Sequence, residues 1–145
     1  MSTLKWAAPE SLTAYLSTEL NSLASASFSS LGAAISNSTD LYEYIGLELV
    51  LAAQGANRAA GATVEVWAIL GLDATYETDS NAKFAQQFLS AFPLDDGALA
   101  ARRLNLRNIP IPPFDFKLQV KNVTGQAFAS SGNTLKYRRY NEQSV

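Results

Sequence analysis

The chain of 145 residues contains no histidine and no cysteine. Histidine is the most frequent general base in enzymes, and serine nucleophiles normally need an adjacent base, so the common nucleophilic triads are excluded. Without cysteine the fold has neither disulfides nor thiolate metal sites, and packing and backbone pairing must stabilise it. We therefore expect a protein that is not an enzyme and that uses no cofactor and no metal.

Carboxylate chemistry is the remaining catalytic option, and the positions of the acidic residues argue against it. Most of these residues fall in or beside predicted turns, where acidic side chains serve solvation and turn geometry: Glu65, Asp73, Glu77, Asp79, Asp95 and Asp96. The loop 71–81, GLDATYETDSN, could offer oxygens to calcium, but its acids do not follow EF-hand spacing. Neither catalysis nor calcium binding is therefore the favoured interpretation.

Charged residues are scarce, at 17% of the chain. Eleven Lys and Arg oppose 13 Asp and Glu, the net charge is −2, and no basic run is longer than two residues. This balance indicates no nucleic-acid partner and no anionic membrane surface. No apolar stretch reaches the roughly 20 residues of a membrane-spanning helix, and the N-terminus lacks the apolar segment of a signal peptide. A surface that relies on uncharged polar residues suits close contact with another protein.

Leucine spacing near the N-terminus predicts a helix. In residues 11–24, SLTAYLSTELNSLA, the leucines recur at intervals of four, four and three, which places them on one helical face: Leu12, Leu16, Leu20 and Leu23. Pro9 cannot lie inside this helix, and Ser11 can cap it. A helix this short is marginal alone in water, so its leucine stripe needs a partner, either the domain's own sheet or a neighbouring subunit.

A small, polar connector at 25–40 could hold a short edge strand, and beyond it the sequence becomes strand-like. Alternating or continuous apolar runs occur at 41–53, 63–70, 84–94, 101–109, 114–121 and 134–140. For 84–94 we favour a strand over a helix, with three aromatic residues on one face: Phe84, Phe88 and Phe92. The pattern predicts an antiparallel sandwich or barrel at 41–145, preceded by an N-terminal arm, short α-helix and connector at 1–40.

A rigid corner precedes the clearest alternating strand, in NIPIPPFDFKLQVKNVTG. Because proline cannot donate to a sheet ladder, Pro110, Pro112 and Pro113 mark where one strand leaves its pairing and turns into the next. In the strand that follows, apolar residues alternate with polar ones: Phe114, Phe116, Leu118 and Val120. We therefore expect one face of this strand to lie in the core.

Several segments resemble a family of small virion structural proteins of tailed bacteriophages. They are LYEYIGLELVLAA, VEVWAIL, FPLDDG, RRLNLRNIPIPPFDFKLQVKN and the terminal SGNTLKYRRYNEQ, and they cover most of the chain from Asp40 onward. The N-terminal LSTELNSLA is also typical of the family. The loop after Leu72 departs from the family pattern, because DATYETDSN stands where relatives carry a DG.NY turn.

The resemblance implies a mainly β protein, a β-sandwich or jelly roll of about six to eight strands, that coats the outside of the phage head as a decoration, or cement, protein. It implies the major capsid protein as partner, a homo-oligomer on the capsid, and a location on the virion surface. Two alternatives stay open. One is a tail or neck component, and the other is a carbohydrate-binding sandwich that uses an aromatic platform of Trp67, Tyr76 and Tyr44.

Docking residues are expected in the segments whose residue types the predicted β-sandwich does not account for. The first group is the N-terminal arm with Trp6 and the leucine stripe of the predicted helix: Leu12, Leu16 and Leu20. The second group belongs to the last strand, where Tyr and Arg are types enriched in interface hot spots: Tyr137, Arg138, Arg139 and Tyr140. An ordinary last strand with solvated arginines is an equally good interpretation of the second group.

Overall fold

The computed structural model describes residues 3–73, 75–78 and 86–144. These residues form nine strands and one turn of 3₁₀ helix at Thr18–Leu20. The strands are β1 (Leu4–Trp6), β2 (Thr13–Leu16), β3 (Tyr44–Leu51), β4 (Thr63–Gly71), β5 (Gln86–Pro93), β6 (Arg102–Pro110), β7 (Asp115–Val123), β8 (Thr134–Tyr140) and β9 (Glu142–Ser144). No helix in the described part of the chain has the length and hydropathy needed to cross a membrane.

The strands form a two-stranded ribbon and two larger sheets, and every pairing is antiparallel. The ribbon joins β1 to β9, the four-stranded sheet has the order β2-β8-β3-β6, and the three-stranded sheet has the order β5-β4-β7. Residues 26–35 follow the free edge of β7 through backbone hydrogen bonds and two isolated bridges. With that segment counted as an irregular strand, the chain moves between the sheets in the order of a jelly roll. The predicted sandwich is confirmed, and the connector lies at a sheet edge as expected but forms isolated bridges in place of a regular strand.

The core lies between the two large sheets. Strand β3 directs every second residue inward, and all four are 2% exposed or less: Ile45, Leu47, Leu49 and Leu51. The facing strands β4 and β7 contribute fully buried residues to the same cluster: Val64, Val66, Phe116, Leu118 and Val120. Each such side chain stabilises the fold by roughly 1.5–3 kcal/mol relative to an exposed position. The strand interiors predicted from alternation are therefore the interior of the sandwich, except for Phe114, which lies before β7 and is 41% exposed.

The predicted helix at 11–24 is wrong. Strand β2 occupies part of this segment and pairs with β8, and the 3₁₀ turn follows it. Leu16 and Leu20, 1% and 0% exposed, belong to the core cluster. Ser22 has φ +57°, in the left-handed region that ends regular helix. A strand followed by a tight turn can bury leucines at the same sequence spacing as a helix. Pairing with another strand then decides which of the two conformations forms.

Tyr15 fixes β2 against the opposite sheet. A bulge in the β2–β8 pairing makes Tyr15 an extra residue on β2. Its hydroxyl donates to the carbonyl of Ala33 at 2.8 Å and accepts from the amide of Leu118 at 2.8 Å. Its ring meets Tyr137 edge to face at 5.8 Å between centroids. These contacts tie β2 to the connector and to β7, which a helix in the same place would not do.

The expectation that the phenylalanines of 84–94 share one face is also wrong for Phe88 and Phe92. Phe92 is fully buried, whereas Phe88 is 56% exposed and packs edge to face on Trp67. The β4–β5 register shifts by one residue between them, so Leu89 is an extra residue that reverses the parity of β5. Phe84 lies outside the described residues.

The proline corner is confirmed as the boundary between two strands. Strand β6 ends at Pro110 and β7 begins at Asp115, on the other sheet. The Asp115 carboxylate accepts hydrogen bonds from the amides of Asn37 and Ser38, at 2.8 and 2.9 Å. The amides of Ser38 and Asn37 hold the pKa of Asp115 below its ordinary value. The corner is therefore fixed both by prolines and by a charged hydrogen-bonded turn.

Candidate docking surface

A groove of about 490 Å³ lies on the outer face of the four-stranded sheet. Its floor is the outward side of β3 between Gly46 and Glu48, and its walls come from β6, β8 and the N-terminal segment. Gly46 lacks a side chain where Tyr44 and Glu48 have large ones, so the sheet surface is lowest there. We call this feature the outer groove.

A β-bulge shapes one wall of the outer groove. Between the pairs Ile45–Ile109 and Leu47–Leu106, strand β6 has two residues opposite Gly46 alone. One of them, Asn108, has φ +56°, a conformation that asparagine tolerates better than most residues. The Tyr140 hydroxyl accepts from the Asn108 amide at 2.7 Å and donates to its side-chain oxygen at 2.9 Å. The bulge is therefore held by a residue of the opposite wall.

Two aromatic rings that line the outer groove, Trp6 and Tyr140, pack together with the ring of Tyr44. Trp6 meets Tyr44 and Tyr140 edge to face, at 5.5 and 5.4 Å between ring centroids. Tyr44 and Tyr140 are cross-strand partners and stack at 6.0 Å. The β1–β9 ribbon positions Trp6, which is still 50% exposed. A large ring that is ordered by its neighbours yet half exposed is a typical interface anchor.

The charges around the outer groove are unequally paired. Glu48, on the floor, is 5% exposed and accepts from Arg103 at 2.9 Å, with the Lys136 ammonium 3.7 Å from its other oxygen. Arg107 and Arg138 line the groove and are exposed. Within the described residues neither guanidinium has a hydrogen bond, an ion pair or an aromatic partner. The two free cations are therefore available to a bound partner.

Four of the eight predicted docking residues meet at the outer groove. They come from the N-terminal segment and from the outward side of β8: Trp6, Leu12, Arg138 and Tyr140. They are far apart in the sequence, and the pairing of β1 with β9 and of β2 with β8 brings them together. Leu12 is 42% exposed, in contrast to the buried leucines that follow it.

The other four predicted residues face the interior: Leu16, Leu20, Tyr137 and Arg139. Arg139 is 7% exposed and makes a bidentate pair with Glu10, at 2.7 Å from each carboxylate oxygen. It also donates to the Ser36 carbonyl and to Asp40, and it lies over the Tyr42 ring at 4.5 Å. The hydrogen bond from the Arg139 guanidinium holds the pKa of Glu10 below its ordinary value. Arg139 therefore joins the N-terminal segment and the connector to β8, and the placement of all four residues leaves them inside the protein.

The aromatic platform considered for carbohydrate binding does not come together. Tyr44 lies on the four-stranded sheet, whereas Trp67 lies on the three-stranded sheet between Phe28 and Phe88. Tyr76 packs on Gly71, where an added Cβ would meet its ring at 2.6 Å, and Lys117 lies over the ring at 4.8 Å. Tyr44 therefore lies apart from Trp67 and Tyr76, and each ring packs against its own neighbours.

No group of three or more acidic, histidine or cysteine side chains in the described ranges is arranged to hold a metal ion. The loop considered for calcium, 71–81, lies partly outside those ranges. Asp95, which the sequence placed in a turn, accepts from Arg58 and Arg102, and the hydrogen bond from Arg102 holds the pKa of Asp95 below its ordinary value. Its role is to join the turn to the ends of neighbouring segments.

The residues of the outer groove that the sequence interpretation missed include Gly46, Glu48 and Arg107. A signal existed for the first two, because glycine and glutamate inside the apolar run LYEYIGLELVLAA are unusual for a strand covered on both sides. Both fall on the parity opposite to the leucines, which indicates an outward face. Arg107 had the same kind of signal, because it alternates with Leu104 and Leu106, whereas the bulge that follows Leu106 had none.

Comparisons with known proteins leave the family of this chain open. No family model matches it, and no curated protein matches it. One similar solved structure is the cryo-EM structure of a giant freshwater prawn Macrobrachium rosenbergii nodavirus (MrNV) semi-empty VLP. That similarity has 12% sequence identity and a TM-score of 0.31, over 100% of this chain and 94% of the other.

Proposed function

We propose that this chain is a virion structural protein of a tailed bacteriophage that binds the major capsid protein and stabilises the head as a decoration, or cement, protein. It acts on the capsid surface as several copies, and a homo-oligomer around a symmetry axis would multiply weak contacts. The class comes from the resemblance of its strands and C-terminal segment to that family. Adhesion, with no chemical step, is the role that suits a chain without histidine or cysteine.

The observation that carries the proposal is the outer groove. A half-exposed tryptophan and leucine, a tyrosine, and two arginines without an ion-pair partner in the described part of the chain lie within one surface depression. Tryptophan, tyrosine and arginine are the residue types that dominate binding energy at protein interfaces. A surface with this composition, on a body fixed by a jelly-roll core, fits a protein whose work is to hold a neighbour.

Several strand edges are protected, which favours docking through side chains over strand addition. Residues 26–35 cover the edge of β7, β2 has only four residues, and β6 carries a bulge and alternating arginines. Short, bulged or charged edges discourage pairing with another chain. The partner is therefore expected to meet the outer face of the four-stranded sheet and the terminal ribbon.

The test uses expanded, undecorated heads of the phage whose genome encodes the chain. Purified protein is added, and both co-sedimentation with the heads and the temperature at which the heads rupture are measured. We expect binding and a higher rupture temperature. Trp6→Ala and deletion of residues 1–9 should weaken both effects, whereas Phe88→Ala, which removes an exposed ring from the other sheet, should not. Undiminished binding after the deletion would reject the arm as a docking element.

Imaging of the intact particle separates the head from the tail. A decoration protein occupies the head lattice in many copies, whereas a tail or neck component lies at a single vertex. Density for this fold at one vertex alone would replace the decoration role by the tail or neck role.

A further inference from the structure

We infer that the outer groove binds an acidic polypeptide segment of the partner, with one carboxylate held between Arg107 and Arg138 above Gly46. The inference rests on the proposed function for the identity of the partner, the capsid shell. It goes beyond that function because it assigns the chemistry that the docking surface recognises, and the charged site that does so.

The register of the strands places the two arginines on either side of a bare backbone position. Arg138 is the direct cross-strand partner of Gly46 on β8, and Arg107 lies opposite Gly46 in the bulge of β6. Two strand spacings separate β8 from β6, roughly 10 Å, and an extended arginine side chain covers more than half of that distance. Both guanidiniums can therefore reach one group above Gly46. A carboxylate suits this position, because guanidinium forks match carboxylates in bidentate hydrogen bonds.

The charge of this face is opposite to that of the rest of the protein. The outward side of β3, β6 and β8 has four cations and one carboxylate, a net charge of +3: Arg103, Arg107, Lys136, Arg138 and Glu48. The remainder of the chain has seven cations and twelve carboxylates, a net charge of −5. The buried carboxylate of Glu48 already uses Arg103 and Lys136, so the excess charge belongs to the two free arginines. An acidic partner would be steered to this face and away from the others.

The remaining walls indicate a polypeptide rather than a small anion or a nucleic acid. Leu12 and Trp6 line the same groove with exposed side chains and offer apolar contacts that a free phosphate would not use. Glu48 in the floor and the net negative charge outside this face oppose a long polyanion such as DNA. A chain with alternating acidic and small or apolar side chains satisfies both the arginines and the apolar walls.

The first experiment measures binding without the phage head. Fluorescence anisotropy follows a short labelled peptide of alternating glutamate and serine, with a glutamine and serine peptide as its uncharged control. We expect only the acidic peptide to bind, and the double variant Arg107→Gln/Arg138→Gln to weaken its binding at least about tenfold, since charged hydrogen bonds are lost. The matched control is Lys117→Gln/Lys121→Gln, which changes the charge equally on the other sheet and should retain the affinity.

Circular dichroism melts of both double variants show whether each is folded, and among the described residues neither arginine has a hydrogen bond or ion pair whose loss would unfold the protein. The inference is overturned if the wild-type protein does not bind the acidic peptide, if the arginine variant binds as tightly, or if inorganic phosphate or a thymidine oligonucleotide binds the same site more tightly. The second arm repeats the head-binding assay with the same variants. Heads that bind both double variants equally would leave the decoration role intact and reject the acidic segment, whereas heads that bind no form of the protein would reject the decoration role alone.

Discussion

The inner and outer faces of the paired strands β2 and β8 carry similar residues that have different roles. On the inner side Arg139 is saturated by Glu10 and neighbouring carbonyl and carboxylate groups. On the outer side Arg138, the preceding residue, has no partner among the described residues and lines the outer groove. The leucines divide in the same way, with Leu16 inside and Leu12 outside. Successive side chains of a strand point to opposite faces of the sheet. Two neighbouring residues of the same type can therefore have different surroundings and different roles.

The largest difference is expected between the two leucines. Leu16→Ala should lower the free energy of unfolding by about 3–4 kcal/mol, because a fully buried leucine leaves a cavity that the sandwich fills only partly. Leu12→Ala should change it by less than about 0.5 kcal/mol, as is usual at exposed positions. Urea denaturation of both variants measures the difference. Similar losses in the two variants would mean that Leu16 is not buried, or Leu12 not exposed, in solution.

The adjacent arginines should differ almost as much. Arg139→Ala should lower the free energy of unfolding by about 3 kcal/mol, since it leaves the Glu10 carboxylate without its bidentate partner. We place the effect at the low end of the usual range because Glu10 retains some contact with water. Arg138→Ala should cost less than about 0.5 kcal/mol and should impair only the binding assays. An Arg138 variant that is as unstable as the Arg139 variant would contradict the assignment of Arg138 to the docking surface.

Alternation was sufficient to predict most of the fold, whereas the docking residues were predicted from residue type and from their position outside the sandwich. Strands β3, β4, β7 and β8 follow their apolar periodicity, and they define the core. The same periodicity divides Tyr137 and Arg139 from Arg138 and Tyr140, yet the segment was interpreted as one docking motif because its residue types were considered without their parity. The pattern of the strand already contained the correct division.

Other features were beyond the sequence because they depend on which strand pairs with which. The bulges at Tyr15, at Leu89 and at Arg107–Asn108 insert one residue relative to a partner strand, and no local pattern specifies them. The leucine spacing at 11–24 is compatible with a helix or with a strand followed by a turn. Pairing with β8 selected the strand, so the error came from tertiary structure that overrides local propensity.

A smaller effect is expected where the two walls of the outer groove meet. Tyr140→Phe removes the hydroxyl that binds the amide and side-chain oxygen of Asn108. We expect a loss of about 1 kcal/mol in the free energy of unfolding, the usual contribution of a hydrogen bond. The bulge should become more mobile, which amide exchange at Asn108 would detect. Tyr137→Phe is the inner-side control, and unchanged exchange at Asn108 in Tyr140→Phe would show that the hydroxyl does not hold the bulge.

The smallest expected effect is the pH dependence of the stability that the ion pair of Glu10 and Arg139 provides on the inner side. The folded pKa of Glu10 lies below its ordinary value of 4.5. The stabilisation is therefore fully present above the unfolded pKa and is lost as pH falls through the folded pKa. Glu10→Gln should be less stable than wild type at neutral pH, and the difference should shrink as the solution is acidified. Asp115, whose pKa is also lowered, keeps part of the acid sensitivity in both proteins. Urea titrations from neutral pH to about pH 3 measure this, and a difference that stays constant over the range would separate Glu10 from the ion pair with Arg139.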